Sequence, residues 1–159
     1  VLIDESRTAS KAGQPDAARA AVDLAFVLGP TRTMTLDRLA EMAYRDGARE
    51  DALRYLHDWT KNHPNDPRPL VRRALILFQD NDVDGALELL AEACDKTTGP
   101  GRSHLFLVTA RVALSAKQNE IAEELLEQAR NVAPKRAGIR AHRDDEFLKR
   151  VVHVGPLFL

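Results

Sequence analysis

One spacing, of 34 residues, recurs along this chain of 159 residues. The phrases "PDAARAA", "EDALRYL", "VDGALELL" and "NEIAEELL" carry an alanine in the same place, at successive intervals of 34, 34 and 36 residues. These alanines are Ala18, Ala52, Ala86 and Ala122. A second column of small residues keeps the same intervals and consists of Ser6, Ala40, Ala74 and Ala110. A fixed period of this length predicts a stack of similar supersecondary units, because a single unit cannot bury its own apolar face.

Each unit has the pattern of two helices closed by a proline. In the second repeat, Leu36, Leu39 and Ala43 recur at helical spacing. Gly47 then allows a turn with positive φ, and Pro64 ends the second helix of the unit. The pattern predicts an all-α chain without strands, with nine helices over residues 2–12, 15–28, 34–46, 49–62, 67–80, 83–96, 102–115, 119–132 and 138–152.

The third unit departs from the period. The prolines that close the other repeats, Pro30, Pro64 and Pro134, keep the spacing. The third repeat has Thr98 where this proline is expected. Thr98 is followed by a Gly-Pro-Gly sequence at residues 99–101. Because glycine and proline interrupt helices, we expect a loop here that contains the two extra residues.

The repeated pattern resembles the tetratricopeptide repeat family, whose unit is 34 residues long. In that family a large apolar residue opens the first helix, and a small residue, a turn glycine, two alanines around a large residue and a proline follow. The opening residues here are Leu2, Leu36, Leu70 and Phe106. The turn position holds Gly13, Gly47, Asn81 and Lys117. In the second repeat Trp59 replaces the second alanine, and its bulk predicts a wider spacing to the third repeat.

The resemblance implies an all-α, right-handed α-solenoid of about four helix-turn-helix repeats plus a C-terminal capping helix. The array covers residues 1–134, with repeats at about residues 1–30, 31–64, 65–100 and 101–134. Residues 135–159 supply the charged helix expected over 138–152, which would cap the array with a polar outer face. The chain ends in the apolar residues Leu157, Phe158 and Leu159, which are expected to dock on the last repeat, or else to begin a further element or bind a partner in the parent protein.

Composition narrows the classes of partner and compartment. A net charge of -1 gives no general attraction to nucleic acid, and no apolar run is long enough for a membrane-spanning helix. The one cysteine, Cys94, excludes an internal disulfide and is expected to be a small buried side chain. The chain opens at Val1 within a predicted helix, so we expect a truncated first helix and a longer parent protein, cytoplasmic or in a bacterial periplasmic or membrane-associated assembly. The use of 17 arginines against 6 lysines, 23 in all, favours a bacterial source.

Motifs for catalysis or cofactor binding do not occur in the sequence. Phosphate-binding glycine loops, a nucleophile elbow and zinc-binding histidine pairs are all missing. The acidic cluster of Asp144, Asp145 and Glu146 is typical of the solvated face of a capping helix. Trp59 and Tyr55 are expected to pack in the core. We therefore expect a chain without catalytic residues, metal or other cofactor.

The resemblance also implies a binding surface, because the first helix of each repeat lines a concave groove in this family. The groove positions, carried over residue by residue, combine arginines with apolar side chains. The candidate contact residues are Arg7, Arg38, Arg68, Arg72, Leu75, Phe78, Leu107 and Arg111. Guanidinium groups bind carboxylates well, and an apolar strip beside them suits a peptide or helix. We therefore expect a scaffold or adaptor that binds an acidic, partly apolar peptide or segment of a partner protein.

Other interpretations of the same residues stay open. The acids Asp4, Asp37 and Glu41 lie on the same predicted surface and could pair with the arginines. The chain could also be a structural module of a bacterial envelope or polysaccharide-export assembly, or the regulatory domain of a larger enzyme or transcription factor. The clamp by which some family members hold chaperone carboxylates is not expected, because only Arg68 and Arg72 agree with its pattern.

Overall fold

The computed structural model describes residues 1–132, which form eight α-helices and contain no strand. The helices are α1 (Leu2–Lys11), α2 (Pro15–Leu28), α3 (Thr33–Arg45), α4 (Arg49–Asn62), α5 (Arg68–Gln79), α6 (Val83–Asp95), α7 (Gly99–Ser115) and α8 (Asn119–Val132). Two helices in each of four repeats confirm the predicted all-α helical repeat. The capping helix expected over residues 138–152, the acidic cluster at 144–146 and the apolar tail at 157–159 lie outside the described residues.

The chain divides into two compact units, Val1–Pro69 and Leu70–Leu159. In the first unit α1 packs against α2 and α3 packs against α4, and α3 also contacts both α1 and α2. In the second unit α7 packs against α6 and α8. Buried residues of α5, α6 and α7 share one apolar cluster there. The two helices of a repeat are therefore neighbours in space as well as in sequence.

The two columns of small residues are buried in the cores of the repeats. The four alanines of the first column are 0% exposed, and the four residues of the second column are at most 5% exposed. Larger apolar side chains surround them and include Val22, Leu39, Leu70 and Leu90. Complete burial of such a side chain contributes about 1.5–3 kcal/mol. Small residues let the paired helices approach closely, and the large ones supply most of the apolar area that holds the pair together.

The turn inside each repeat uses one residue in the left-handed region of backbone space. Gly13 and Gly47 have φ values of +71° and +78°, as their sequence positions predict. Asn81 and Lys117, which replace glycine in the third and fourth repeats, adopt the same conformation at +66° and +63°. Asparagine tolerates this region, whereas lysine has no local hydrogen bond to offset the steric cost. The geometry of the turn is therefore kept even where glycine is lost.

The prediction of a loop at residues 99–101 is wrong, because α7 begins at Gly99. Gly99 has a φ of +60°, which glycine adopts without strain, and Pro100 lies in the first turn, where the missing N–H has no partner to lose. The helix is consequently 17 residues long, compared with 13 for α3 and 12 for α5. The extra residues of the third interval lengthen the helix.

Candidate partner-binding site

Arg38, one of the expected contact residues, is a buried structural residue with an exposed fraction of 1%. Its Nε donates to Ser6 Oγ at 3.1 Å, and its Nη2 donates to the Ser6 carbonyl at 3.1 Å and to Ser10 Oγ. Its Nη1 donates to Glu41 at 2.9 Å. All these partners lie on α1 or α3, so the guanidinium joins the first helices of two repeats. This burial leaves Arg38 without surface for a partner and corrects the prediction.

The other expected arginines of the first unit have acidic neighbours. Arg7 lies 4.0 Å from Asp4 and 3.9 Å from Asp37, and Glu41 also pairs with Arg45 at 2.8 Å. The interpretation in which acids on this surface pair with the arginines therefore holds for the first unit. An arginine that already pairs with an acid of the same chain binds a partner's carboxylate less strongly than an unpaired arginine would.

Arg68 is paired as well, although its side chain is 63% exposed. Its Nη2 and Nε lie 2.6 and 2.9 Å from the oxygens of Asp66, and its guanidinium lies 5.0 Å from the centre of the Trp59 ring. Burial alone would raise the pKa of Asp66, but hydrogen bonds from Arg68, the charge of Arg68 and a hydrogen bond from Trp59 together lower that pKa below 3.8. Arg68 and Trp59 thus belong to one local network, and Trp59 is a buried packing residue.

The expected contact residues of the second unit lie on α5 and α7. Leu75 is buried at 7% exposure, so only its neighbours can contribute surface. Phe78 and Leu107 are half-buried against the apolar clusters of this unit, and Arg72 and Arg111 are half-buried on the same two helices. The structure thus places a partly open apolar strip and two arginines on neighbouring helices of one unit.

Charge is distributed unevenly between the helices of the second unit. The helices α5 and α7 together carry five arginines and no aspartate or glutamate. Acids do lie on α6 and α8, at Asp84, Glu88, Glu92, Asp95, Glu120, Glu123, Glu124 and Glu127, and in the turn between α5 and α6, at Asp80 and Asp82. In the first unit, by contrast, α1 and α3 each carry two acids. The first helices of the later repeats are therefore the more cationic surface.

The one cysteine of the chain, Cys94, is a free thiol in the second unit. Cys94 is 4% exposed, and burial raises the pKa of its thiol, although a hydrogen bond with Thr109 opposes the shift. Cys94 is therefore the buried small side chain that its place beside a packing alanine predicts. Within residues 1–132, no group of three histidine, cysteine or acidic side chains is arranged to hold a metal ion. In the same part of the chain, no helix has the length and apolar character to cross a membrane.

A second candidate surface, which the sequence did not reveal, is an open pocket of about 640 Å³ in the first unit. We name it the edge pocket, because it lies where α1 and α3 begin and α2 ends. Its lining includes Ile3, Ala25, Leu28, Met34, Arg32 and His63. These residues come from four separate segments, so no local motif predicts the pocket. The one sequence feature that points to the edge pocket is a run of apolar residues at the end of α2, outside the small-residue columns.

Comparison with known proteins supports the fold. No protein-family model matches the sequence, and no curated protein matches it. Among solved structures, PilF of Pseudomonas aeruginosa superposes with a TM-score of 0.69 at 17% identity, over 94% of this chain and 71% of that one. MamA superposes with a TM-score of 0.64 at 17% identity, over 92% of this chain and 87% of that one. Both are tetratricopeptide repeat proteins. The chain therefore has the all-α fold of the tetratricopeptide repeat proteins.

Proposed function

We propose that this chain is a non-catalytic scaffold or adaptor that binds an acidic, partly apolar segment of a partner protein on α5 and α7 of its second unit. The observation that carries the proposal is the absence of acids from these two helices, which bear five arginines. Two of the five pair with acids outside these helices, Arg68 with Asp66 and Arg102 with Asp95, and a carboxylate of the partner would add a further acceptor for the guanidinium groups on this surface.

The apolar part of the proposed ligand follows from the side chains beside the arginines. Phe78 and Leu107 are half-buried, so each keeps accessible apolar surface next to a packed core. An anchor residue of the partner would remove that surface from water, at about 25 cal/mol for each Å² of apolar area. Arg72 and Arg111 lie on the same helices and would set orientation and association rate, because charges at the rim of an interface act mostly on encounter.

The contact set differs from the one expected from sequence. Arg38 and Leu75 are left out because they are buried, and Arg7 and Arg68 because acids of the first unit pair with them. The proposed contact residues are Arg72, Phe78, Leu107 and Arg111. All four belong to the second unit, so the proposed surface depends on packing within that unit alone.

A direct test is fluorescence anisotropy with the labelled probe peptide Gly-Glu-Asp-Leu-Phe-Glu-Asp-Gly. The double variant Arg72→Gln with Arg111→Gln should weaken binding about tenfold, and Phe78→Ser should weaken it at least as much. The matched control is Arg19→Gln with Arg54→Gln, which removes two exposed arginines of the first unit and changes the net charge equally. Circular dichroism of each variant shows whether the helices are retained.

Salt dependence separates the two parts of the proposed interaction. Raising the ionic strength shortens the Debye length from about 10 Å at 0.1 M to about 3 Å at 1 M, so the arginine contribution should fall. The contribution of Phe78 should change little, because burial of apolar surface does not depend on screening. Equal affinity of the two double variants for the probe would contradict the proposed site. A probe with serine in place of its leucine and phenylalanine should lose binding, and full binding by that probe would contradict the apolar anchor.

A further inference from the structure

The edge pocket of the first unit has the features of a ligand site distinct from the surface on α5 and α7. Its volume of about 640 Å³ lies within the range of about 300–1,000 Å³ that is usual for ligand pockets. Its lining includes the buried apolar side chains of Ile3 and Ala25. The pocket is open to solvent, and Leu28 and Met34 at its edge are 64% and 51% exposed. Large apolar side chains this exposed, beside a cavity, mark a surface that another molecule can cover.

The polar part of the edge pocket is basic. Arg32 and His63 belong to its lining, and none of the lining residues, all of which the structure describes, is an aspartate or glutamate. Within residues 1–132, Arg32 makes no ion pair. Most other arginines of the first unit, such as Arg7, Arg45 and Arg54, lie within 4 Å of an acid. An unpaired guanidinium at the rim of an apolar cavity is complementary to a carboxylate.

The two basic side chains each contact the loop that joins α2 to α3. The stem of Arg32 lies across Gly29, where a Cβ atom would come within 2.6 Å of the Cδ of Arg32. Nε2 of His63 donates to the carbonyl of Thr31 at 2.7 Å. The hydrogen bond orients the His63 ring beside the cavity, which lowers the entropic cost of using that ring in binding.

The apolar surface continues beyond the cavity along α2. Leu24, one turn before Leu28, is 50% exposed, and Val27 is 76% exposed. A small molecule that fills the cavity would leave this strip in water, whereas an extended ligand would cover it. The combination of cavity, strip and arginine therefore favours a peptide over a small anionic molecule.

We propose that the edge pocket is a second recognition site, which takes a peptide segment with a bulky apolar side chain next to a carboxylate. The apolar side chain enters the cavity between Ala25, Leu28 and Met34, and the carboxylate pairs with Arg32. The remainder of the segment lies along Leu24 and Val27 of α2. This site is separate from the surface on α5 and α7, so each can be tested with the other intact.

The chain has two methionines, which together provide a built-in test of this site. Met34 lines the edge pocket, whereas Met42 is buried in the core of the same unit. With methionine labelled by ¹³C in its methyl group, the full chain should give one methyl signal for each. Titration with the probe peptide Gly-Ser-Asp-Leu-Phe-Ser-Gly should shift the Met34 signal to saturation and leave the Met42 signal in place.

Variants of the protein and the probe separate the two parts of the recognition. Arg32→Gln should weaken binding about two- to fivefold, as an exposed ion pair allows, and asparagine in place of the probe's aspartate should do the same. Serine in place of the probe's leucine and phenylalanine should weaken binding by at least about tenfold. Arg54→Gln, which removes an exposed arginine from α4 of the same unit, is the matched control and should bind as the unchanged chain does.

Three results would overturn the proposal. The first is a Met34 signal that does not move at millimolar probe. The second is a Met34 shift that is the same with Arg32→Gln and with the asparagine probe. The third is a Met34 shift that depends on protein concentration without any probe, together with a dimer in sedimentation velocity. That last result would assign the edge pocket to contact between two copies of the chain.

Discussion

Trp59 and Asp66 are joined by a hydrogen bond from Nε1 of the indole to Oδ2 of the carboxylate, with a length of 3.0 Å. Asp66 also accepts hydrogen bonds from Arg68, whose guanidinium stacks on the Trp59 ring. A tryptophan occupies this place in the second repeat, where the family pattern has an alanine. The indole N–H donates to Asp66 in the loop after α4, so Trp59 takes part in a local hydrogen-bond network that an alanine could not form. Its effect on the spacing between the second and third repeats stays a prediction.

The Asp66 network predicts a defined dependence of stability on pH. The pKa of Asp66 is below 3.8 in the folded chain and near 3.8 in the unfolded chain, so the unfolded chain binds the proton first as pH falls. The contribution of the carboxylate to stability is therefore complete above pH 3.8 and is lost as pH falls through the lower, folded pKa. Asp66→Asn should lower the free energy of unfolding by about 1 kcal/mol at neutral pH, and this difference should shrink below pH 3.8.

Urea denaturation of both chains across the acid range measures that difference. Asp46→Asn, at an exposed residue just after α3, is the control, because it removes a carboxylate that lies outside the network. A constant difference for Asp66→Asn down to the lowest pH at which the chain folds would contradict the network.

Arg38 predicts a stability effect in place of a binding effect. Arg38→Met keeps an unbranched apolar stem but removes the guanidinium, so that Ser6 and Ser10 lose this donor and Glu41 keeps only Arg45. Hydrogen bonds to charged groups contribute about 1.5–3 kcal/mol each in mutational series, and we expect a total loss in that range because the partners regain some hydration. Urea denaturation followed by circular dichroism measures the loss. Arg54→Met, which breaks an exposed pair with Asp51, should change stability by at most about 0.5 kcal/mol. Equal effects of the two variants would contradict the structural role of Arg38.

The buried columns were predictable from the sequence because stacking requires close contact once in every repeat. All eight column positions lie in the core for that reason. The start of α7 was not predictable from composition, since Gly99 and Pro100 interrupt a helix in its interior but fit its first turn. The local sequence does not show whether a Gly-Pro pair interrupts a helix or lies in its first turn.

The burial and pairing of Arg38 were not predictable either, because they depend on residues far away in the sequence. Arg38 reaches Ser6 and Ser10, which precede it by 32 and 28 residues, and a helical pattern does not show which way a long side chain turns. The edge pocket was missed for a related reason, since its lining is assembled from four segments. The position of Phe78 and Leu107 on the first helices of their repeats, α5 and α7, follows from the repeat pattern.

The small-residue columns predict a cost for added volume. Ala52→Leu, Ala86→Leu and Ala110→Leu should each lower the free energy of unfolding by roughly 1–3 kcal/mol, because the closely packed helices have no room for a larger side chain. Chemical denaturation measures each loss. Ala91→Leu adds the same volume at an exposed position of α6 and should be nearly neutral. Losses at the three column positions no larger than at Ala91 would show that the columns are loosely packed.

Lys117 offers the opposite experiment, a substitution that should stabilise the chain. Its φ of +63° costs an L-residue with a Cβ atom roughly 1–2 kcal/mol, and glycine avoids that cost. Glycine also gains freedom in the unfolded chain, which offsets about 0.5–1 kcal/mol of the benefit. Lys117→Gly should therefore raise the free energy of unfolding by about 0.5–1 kcal/mol. Asn81→Gly, at the same turn position one repeat earlier, should gain less, because asparagine already tolerates this backbone region. Denaturation of both variants under identical conditions gives the ranking, and a larger gain at Asn81 than at Lys117 would mean that backbone strain does not govern these turns.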